Sequence, residues 1–428
     1  MGRNALVAQS GGPSPVINAS LQGVIDACRA YPDMIDTLYA AYHGIEGVLL
    51  EELIDLYEQQ EEEIARLKYT PASGAIGTCR YKLSDTGSPD FARILDVCRA
   101  HNIGYFFYIG GNDSMDTAKK VSDLAREQGY DLIVTGVPKT IDNDVGDSKF
   151  CLIDHTPGYG SCARYWALLM QNAEEENRAI SGSECVSVYQ AMGRTTGYIT
   201  AASRLGDPER RTPLLLFFSE RHETLESVAE AVNEKLRQEG RCIVVVNEGL
   251  DVGEIGAKRD SFGHIEYGAS GISAMQAVVN YLNAHKLAAR GQATGQLPGT
   301  IQRGVSLLGS TVDIDEAYEH GRNAVKIAMR EGTGYMSTIL RRSTAVYTPY
   351  YDKVDLAKIA NSERHLPQEW ITPDGHDVTD EFFQYARPLI GEENPPIPLE
   401  HGLQRFARLN VRFVDKKLPA YLPAGFLV

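Results

Sequence analysis

Six short runs of nearly continuous apolar residues punctuate this chain, at positions 5–9, 104–109, 132–137, 185–189, 214–218 and 242–246. They do not alternate apolar with polar, and each is too short for a helix, so each reads as a strand buried on both faces. Amphipathic helical patterns separate most of them. Asn18 can cap a helix that carries Leu21, Val24, Ile25 and Cys28 on one face, and further patterns cover 115–127, 223–239 and 271–286. This alternation builds parallel sheets covered by helices on both sides, an α/β fold whose functional loops lie at the carboxyl ends of the strands. Three unusual segments occupy such ends: Ser10-Gly-Gly-Pro-Ser-Pro15, Gly110-Gly-Asn-Asp-Ser114 and Pro138-Lys-Thr-Ile-Asp-Asn-Asp144.

Composition narrows the function classes. The 428 residues allow about two to three domains. With 43% apolar and 23% charged residues the chain is globular, not disordered. Its 42 Lys and Arg against 57 Asp and Glu leave a net charge of −15, which opposes broad binding to nucleic acid or an anionic membrane. The seven cysteines are scattered and never spaced as C-x-x-C, which argues against a disulfide framework or zinc site and fits a reducing cytosol. The start lacks the apolar stretch of a secretory signal, and no run approaches the ~20 residues of a membrane span. A cytoplasmic protein is expected. The acidic run 51–63 reads as a solvated helix face, and Pro395-Pro-Ile-Pro398 as an irregular segment.

Several lookalikes are set aside. There is no G-x-x-x-x-G-K-[ST], so the chain is not a P-loop NTPase, and no H-E-x-x-H. Gly158-Tyr-Gly-Ser-Cys-Ala163 imitates a dinucleotide fingerprint but follows His155-Thr-Pro157 instead of a strand, so close helix packing is expected. Tyr105, Phe106, Phe107 and Tyr108 read as core strand, not as a stacking platform.

Gly11-Gly12 and Gly110-Gly111 each place small residues before a helix N-terminus, where free amides bind anions. Either alone is equally a tight turn; two of them, with Lys139 at a third strand end, point to a phosphate-binding cleft. Asp142 and Asp144 are two apart, so in an extended segment they face one side. Paired carboxylates can hold Mg²⁺, or one can accept a proton while the other tunes it, although an Asx-rich turn has the same composition.

Together these segments resemble the phosphofructokinase family, particularly its pyrophosphate-dependent members. The likeness runs in order over residues 4–365. It comprises Gly11-Gly-Pro-Ser-Pro15, Gly77-Thr-Cys-Arg80, Gly110-Gly-Asn-Asp-Ser114, Pro138-Lys-Thr-Ile-Asp-Asn-Asp144, Met192-Gly-Arg194, Asn247-Glu-Gly249 and Ile301-Gln-Arg303.

The resemblance implies Mg²⁺-dependent phosphoryl transfer to the 1-hydroxyl of fructose 6-phosphate. By the same resemblance Asp142 is the general base. Gly11, Gly12, Arg80, Asp113 and Lys139 form the donor site. Thr140, Ile141, Asp142, Asp144, Met192, Gly193, Arg194, Glu248 and Arg303 form the acceptor site. Asn112, Asp113 and Asp144 hold the metal. Pyrophosphate is the expected donor, because ATP-using relatives have glycine where this chain has Asp113 and Lys139. The fold implied is two doubly wound, Rossmann-like lobes with the active site in the cleft between them, plus a C-terminal extension. A donor lobe takes 1–140 and 255–300, an acceptor lobe 141–254 and 301–345, and the extension 346–428. A homo-oligomer of at least two copies is implied as well.

The acceptor end departs from the family. Cys185, Thr294 and Thr300 stand where relatives carry residues that hold the 6-phosphate, some of them reaching from a neighbouring subunit. Arg164, Arg341 and Arg342 are candidate replacements. A kinase of the same fold acting on a different sugar, sugar phosphate or polyol is therefore an alternative, and a catalytically weak metabolite-binding homologue a second.

Overall fold

A computed structural model describes residues 2–72, 74–83, 87–250, 271–343 and 346–427. In chain order its principal strands are β1 (Arg3–Gln9), β2 (Ile35–Ala41), β3 (Leu53–Asp55), β4 (Ile103–Gly110), β5 (Ile133–Pro138), β6 (Val186–Ala191), β7 (Leu214–Phe217), β8 (Cys242–Asn247), β9 (Ala293–Gln296), β10 (Tyr335–Arg341) and β11 (Pro349–Asp355). The helices that matter below are α1 (Ile17–Arg29), α2 (Ile45–Leu50), α3 (Glu61–Arg66), α4 (Pro89–Ala100), α5 (Asn112–Glu127) and α6 (Tyr159–Ile180). All six apolar runs are strands.

The strands form two main sheets. A seven-stranded sheet has the order β11-β10-β5-β4-β1-β2-β3, parallel except for its two edge strands, and a four-stranded parallel sheet has the order β7-β8-β6-β9. Each is buried on both faces, which is why its central strands carry no polar alternation. In the larger sheet Leu6, Ala8, Phe106, Tyr108 and Val134 pack into one core, and Ala5, Val7, Phe107, Ile109 and Val137 into another. In the smaller sheet Ala191, Leu216 and Val245 face one core, while Val188, Phe217 and Val246 face the other.

The division of the chain differs from the expected one. It returns to the larger sheet as β10 and β11, not over 255–300. Residues 255–270 lie outside the described residues; of the remainder, β9 pairs with β6 in the smaller sheet. Neither strand has an apolar run to reveal it. β9 is an exposed edge, Ala-Thr-Gly-Gln, and β10 buries Ser337 and Thr338 by satisfying them, Thr338 Oγ1 donating to Leu152 O at 2.6 Å. Residues 346–427 are likewise no separate extension. β11 closes the larger sheet, and Phe382, Tyr385 and Leu389 sit in the core of the smaller lobe.

Two local expectations also change. Asn18 lies one residue inside α1 and caps nothing; its buried amide donates to Thr70 O and Ala72 O at 2.9 and 3.0 Å. The acidic run is not one helix. It holds β3 and the start of α3, and Glu51 is wholly buried, accepting from His101 at 2.6 Å and from the Lys417 amide at 2.5 Å. The Gly158–Ala163 lookalike does open a packed helix: a Cβ at Gly160 would lie 2.6 Å from Leu389 O. All seven cysteines are free, and among the described residues no helix is long and apolar enough to cross a membrane.

Candidate active site

The carboxyl ends of β1, β4 and β5 face those of β6 and β8, and the loops after them meet in one cleft. On the first wall the turn after β1 runs beside the 77–80 segment. Gly11 N donates to Cys79 O at 3.0 Å, and Thr78 Oγ1 donates to Gly11 O at 3.0 Å. Lys139, at the end of β5, is only 3% exposed and donates to Gly12 O at 2.6 Å. A Cβ on Gly12 would lie 2.6 Å from Arg303 Nη1 and 3.8 Å from Arg80 Nη2, so two guanidinium groups close on the same backbone. Burial, with Arg303 and Arg80 adding to it, lowers the Lys139 pKa to about 7. A lip of cations this close together is matched by a polyanion and by little else.

Opposite this lip the carboxylates converge, though not through an extended backbone. Asn143 has φ 57°, and Asp142 N donates to Thr140 Oγ1 at 3.1 Å, so the segment is a tight bend. Arg364, wholly buried, holds the bend from behind: its Nη2 donates to Asn143 Oδ1 at 2.8 Å and its Nε to Asn143 O at 3.1 Å. Burial and the nearby Asp144 raise the Asp142 pKa to about 7, against the pull of Arg194. Asp144 is raised by burial too, with Arg194 Nη1 at 4.0 Å opposing. Its Oδ2 accepts from Asn112 Nδ2 at 3.3 Å, and its Oδ1 is buried with no hydrogen-bond partner.

That orphaned oxygen is the feature that fits a cation. Asn112 and Asp113 stand beside it in the first turn of α5, and the Asp113 charge reaches Arg194, the same guanidinium that Asp144 faces. Among the described residues no group of three or more His, Cys, Asp or Glu could enclose a metal. An ion here would draw most of its shell from water and phosphate, as Mg²⁺ commonly does.

The second wall comes from the smaller lobe. Gly193 and Arg194 take φ values of 130° and 54°, and their amides donate to Glu248 Oε1 at 3.1 and 2.9 Å. A Cβ at Gly193 would lie 2.5 Å from Thr196 O, so the turn needs glycine there. Thr196 Oγ1 reaches across to Asp142 O at 2.9 Å, joining the two walls. Met192 N donates to Gln302 Oε1 at 3.0 Å, which also accepts from Trp166 Nε1 at 2.9 Å. Ile141 is buried in the smaller lobe's core and anchors the bend.

The expected residues thus gather, with one shift of place: Arg303, expected beside the acceptor, lies against the donor loop as well. Cys185 and Thr294 are not in the cleft of their own chain. Cys185 precedes β6 at the end remote from Met192, fully buried, and Thr294 pairs with Ser187 near that same end. Thr300 lines a cavity of about 400 Å³ with Pro13, Ile301, Arg303 and Val305. Two of the three replacement arginines are engaged elsewhere. Arg164 donates to Ile390 O and Gly391 O, and Arg341 pairs with Asp154 at 2.9 Å. Arg342, exposed, lies over the Tyr350 ring.

Gln302, Glu363 and Arg364 were not anticipated. Glu363 accepts from Thr195 Oγ1 at 2.5 Å, and its charge reaches Arg194. Gln302 lay inside a motif already singled out. Glu363 and Arg364 stand in a polar run, Asn361-Ser-Glu-Arg-His365, that composition marks as surface.

Comparison with known proteins agrees with this fold. The family model described as Phosphofructokinase matches residues 4–328. The chain is 39% identical to the pyrophosphate–fructose 6-phosphate 1-phosphotransferase of Methylococcus capsulatus, covering 98% of each chain. It is 30% identical to the sulfofructose kinase of Alkalicoccus urumqiensis, over 85% of this chain and 91% of that one. Among solved structures, the pyrophosphate-dependent phosphofructokinase from Marinobacter aquaeolei superposes with a TM-score of 0.87 at 35% identity, covering 98% of this chain and 100% of that one.

Proposed function

The chain belongs to the phosphofructokinase family, and on that premise we propose that it transfers the terminal phosphoryl group of pyrophosphate to the 1-hydroxyl of fructose 6-phosphate, giving fructose 1,6-bisphosphate and phosphate. The observation that carries the reading is one cleft in which the Asp142 carboxyl faces a cationic lip around Gly12, made of buried Lys139, half-buried Arg303 and exposed Arg80. Phosphoryl transfer asks for little else: positioned partners and cover for the equatorial oxygens.

In the proposed step Asp142 takes the hydroxyl proton as the hydroxyl oxygen bonds to the terminal phosphorus. The bridging P–O bond breaks, and phosphate leaves with the electron pair. Lys139 and Arg80 face the donor, Arg303 spans donor and acceptor, and the turn held by Glu248 sets Arg194 beside Asp144. The family's phosphotransferases use a divalent metal. Magnesium is the ion we assign, with Asp144, Asn112 and Asp113 as its protein ligands, and it supplies neutralisation of phosphate charge. An assembly of at least two copies belongs to the same proposal, since neighbouring subunits contribute to the acceptor site in this family.

Pyrophosphate is favoured over ATP on electrostatic grounds. A carboxylate at position 113 stands where an α-phosphate would come, and like charges ~4 Å apart cost about 4 kcal/mol at an effective dielectric of ~20. Parallel assays with Mg-pyrophosphate and MgATP test the donor. Robust turnover with ATP and none with pyrophosphate overturns the assignment. Asp113→Gly is expected to raise kcat/KM for MgATP by about tenfold or more, and an unchanged ratio between the donors counts against the clash. The sulfofructose kinase relative favours a second reading, in which another anion replaces the 6-phosphate. An acceptor screen with Mg-pyrophosphate, each acceptor assayed alone and read as released phosphate, separates the two.

A further inference from the structure

The segment after the proline-rich stretch has almost no regular structure, yet it is tied to the larger lobe every few residues. Arg405 pairs with Glu63 at 2.7 Å, Asn410 N donates to Gln59 Oε1 at 2.7 Å, and Val414 N to Leu53 O at 2.9 Å. Lys417 N and Leu418 N both donate to buried Glu51. Such a path is costly in chain entropy, so its end point matters.

That end point is the residue after Arg80. Asp90, at the start of α4, accepts from Tyr81 OH on one carboxylate oxygen and from Tyr421 OH on the other, both at 2.6 Å. Ala424 N donates to the same carboxylate at 3.2 Å, and Gly425 N donates to Tyr81 OH at 2.7 Å. The Phe426 ring packs edge-on to Tyr81 at 6.0 Å, and a Cβ on Gly425 would lie 2.6 Å from Tyr81 Cε2. The Arg93 guanidinium covers the Tyr421 ring at 5.2 Å. On the other side of Arg80, the Cys79 carbonyl accepts from Gly11 N. A continuous line of contacts therefore runs from Phe426 through Tyr81 and the Arg80 backbone to the donor loop.

We propose that Tyr421–Phe426 is a strap that sets the position of the Arg80 segment against the donor loop, with Tyr421, Gly425 and Phe426 as positioning residues acting through Tyr81. The proposal rests on the reading of Arg80 as a donor contact. In place, the strap holds a flexible guanidinium near the phosphates before the donor arrives, which lowers the ordering cost of binding. Released, it leaves the acceptor wall untouched, because its contacts among the described residues are confined to the larger lobe.

The test is a double-mutant cycle in the full enzyme. The chain shortened after Ala420 is expected to show a KM for Mg-pyrophosphate raised about tenfold or more, with the KM for fructose 6-phosphate changed less than roughly twofold. In an Arg80→Ala background the same shortening is expected to shift the pyrophosphate KM by less than about twofold. An unchanged pyrophosphate KM in the shortened chain, or the same loss in both backgrounds, overturns the strap. Tyr421→Phe, which removes one hydroxyl, and Gly425→Val, which crowds Tyr81, carry the same cycle if the shortened chain fails to fold. The intact chain keeps the two claims apart. No turnover of pyrophosphate there, or no effect of Arg80→Ala, defeats the functional reading, whereas both effects present and no response to shortening defeats only the strap.

Discussion

Asp142→Asn lowers kcat by about 10²–10⁴-fold while leaving the affinity for Mg-pyrophosphate unchanged or slightly tighter. The substitution keeps the shape of the side chain and removes its ability to take a proton. Little else should move. The bend that presents residue 142 is held by Arg364 and Asn143, and Thr196 is bonded to the Asp142 carbonyl, so the backbone has no reason to shift. Folding gives an independent check. Burial raises the Asp142 pKa in the folded chain above its value in an unfolded one, so the ionised carboxylate opposes folding at alkaline pH. The Asn variant is therefore expected to melt at or above the Tm of the parent at pH 8. A large drop in Tm would mean that lost turnover reports misfolding, and a fall in kcat of less than about fivefold would place the base elsewhere.

What could be read from residues alone was whatever depends on local pattern. The buried strands were legible because a strand covered on both faces has no room for polar alternation. The cleft was legible because each of its loops directly follows such a strand. Elements defined by distant partners were not. β10 looks polar until His320 and Asn323 are seen bonding its Ser337. Glu51 looks solvated until the 417–418 backbone folds over it. Asp142 and Asp144 were expected to converge through an extended segment, but they do so through a bend that an arginine more than two hundred residues away stabilises. Cys185 shows the reverse error. A missing charge there reads as damage to the acceptor site, yet the residue stands fully buried at the end of its strand remote from Met192. Sequence order locates a motif along the chain, and only packing decides which end of a strand faces the ligand.

Lys139→Met is the other large expected effect, and it separates donor binding from chemistry. Each charge-assisted hydrogen bond to a phosphate oxygen is worth about 1.5–3 kcal/mol, or roughly 10- to 150-fold, and further loss follows where charge grows in the transition state. We expect kcat/KM for pyrophosphate to fall by about 10²-fold or more, with the KM for fructose 6-phosphate changed little. The pH profile identifies the cause. Lys139 must be protonated to face the donor, and its pKa in the free protein is lowered to about 7 by burial and by Arg303 and Arg80. In the parent, kcat/KM should therefore decline as pH rises through about 7. In kcat the same decline should appear at higher pH, because bound pyrophosphate restores the proton to the amine. Lys139→Met removes that alkaline decline and keeps the acid limb set by Asp142. Lys139→Arg should not rescue: the ammonium sits nearly sealed beneath Gly12 O, and a planar guanidinium has no space there. A chain carrying a net charge of −15 works on polyanions only if its cations are held together against their own repulsion. If the alkaline decline persists without Lys139, a group other than this lysine sets it, since arginines keep their charge across this range.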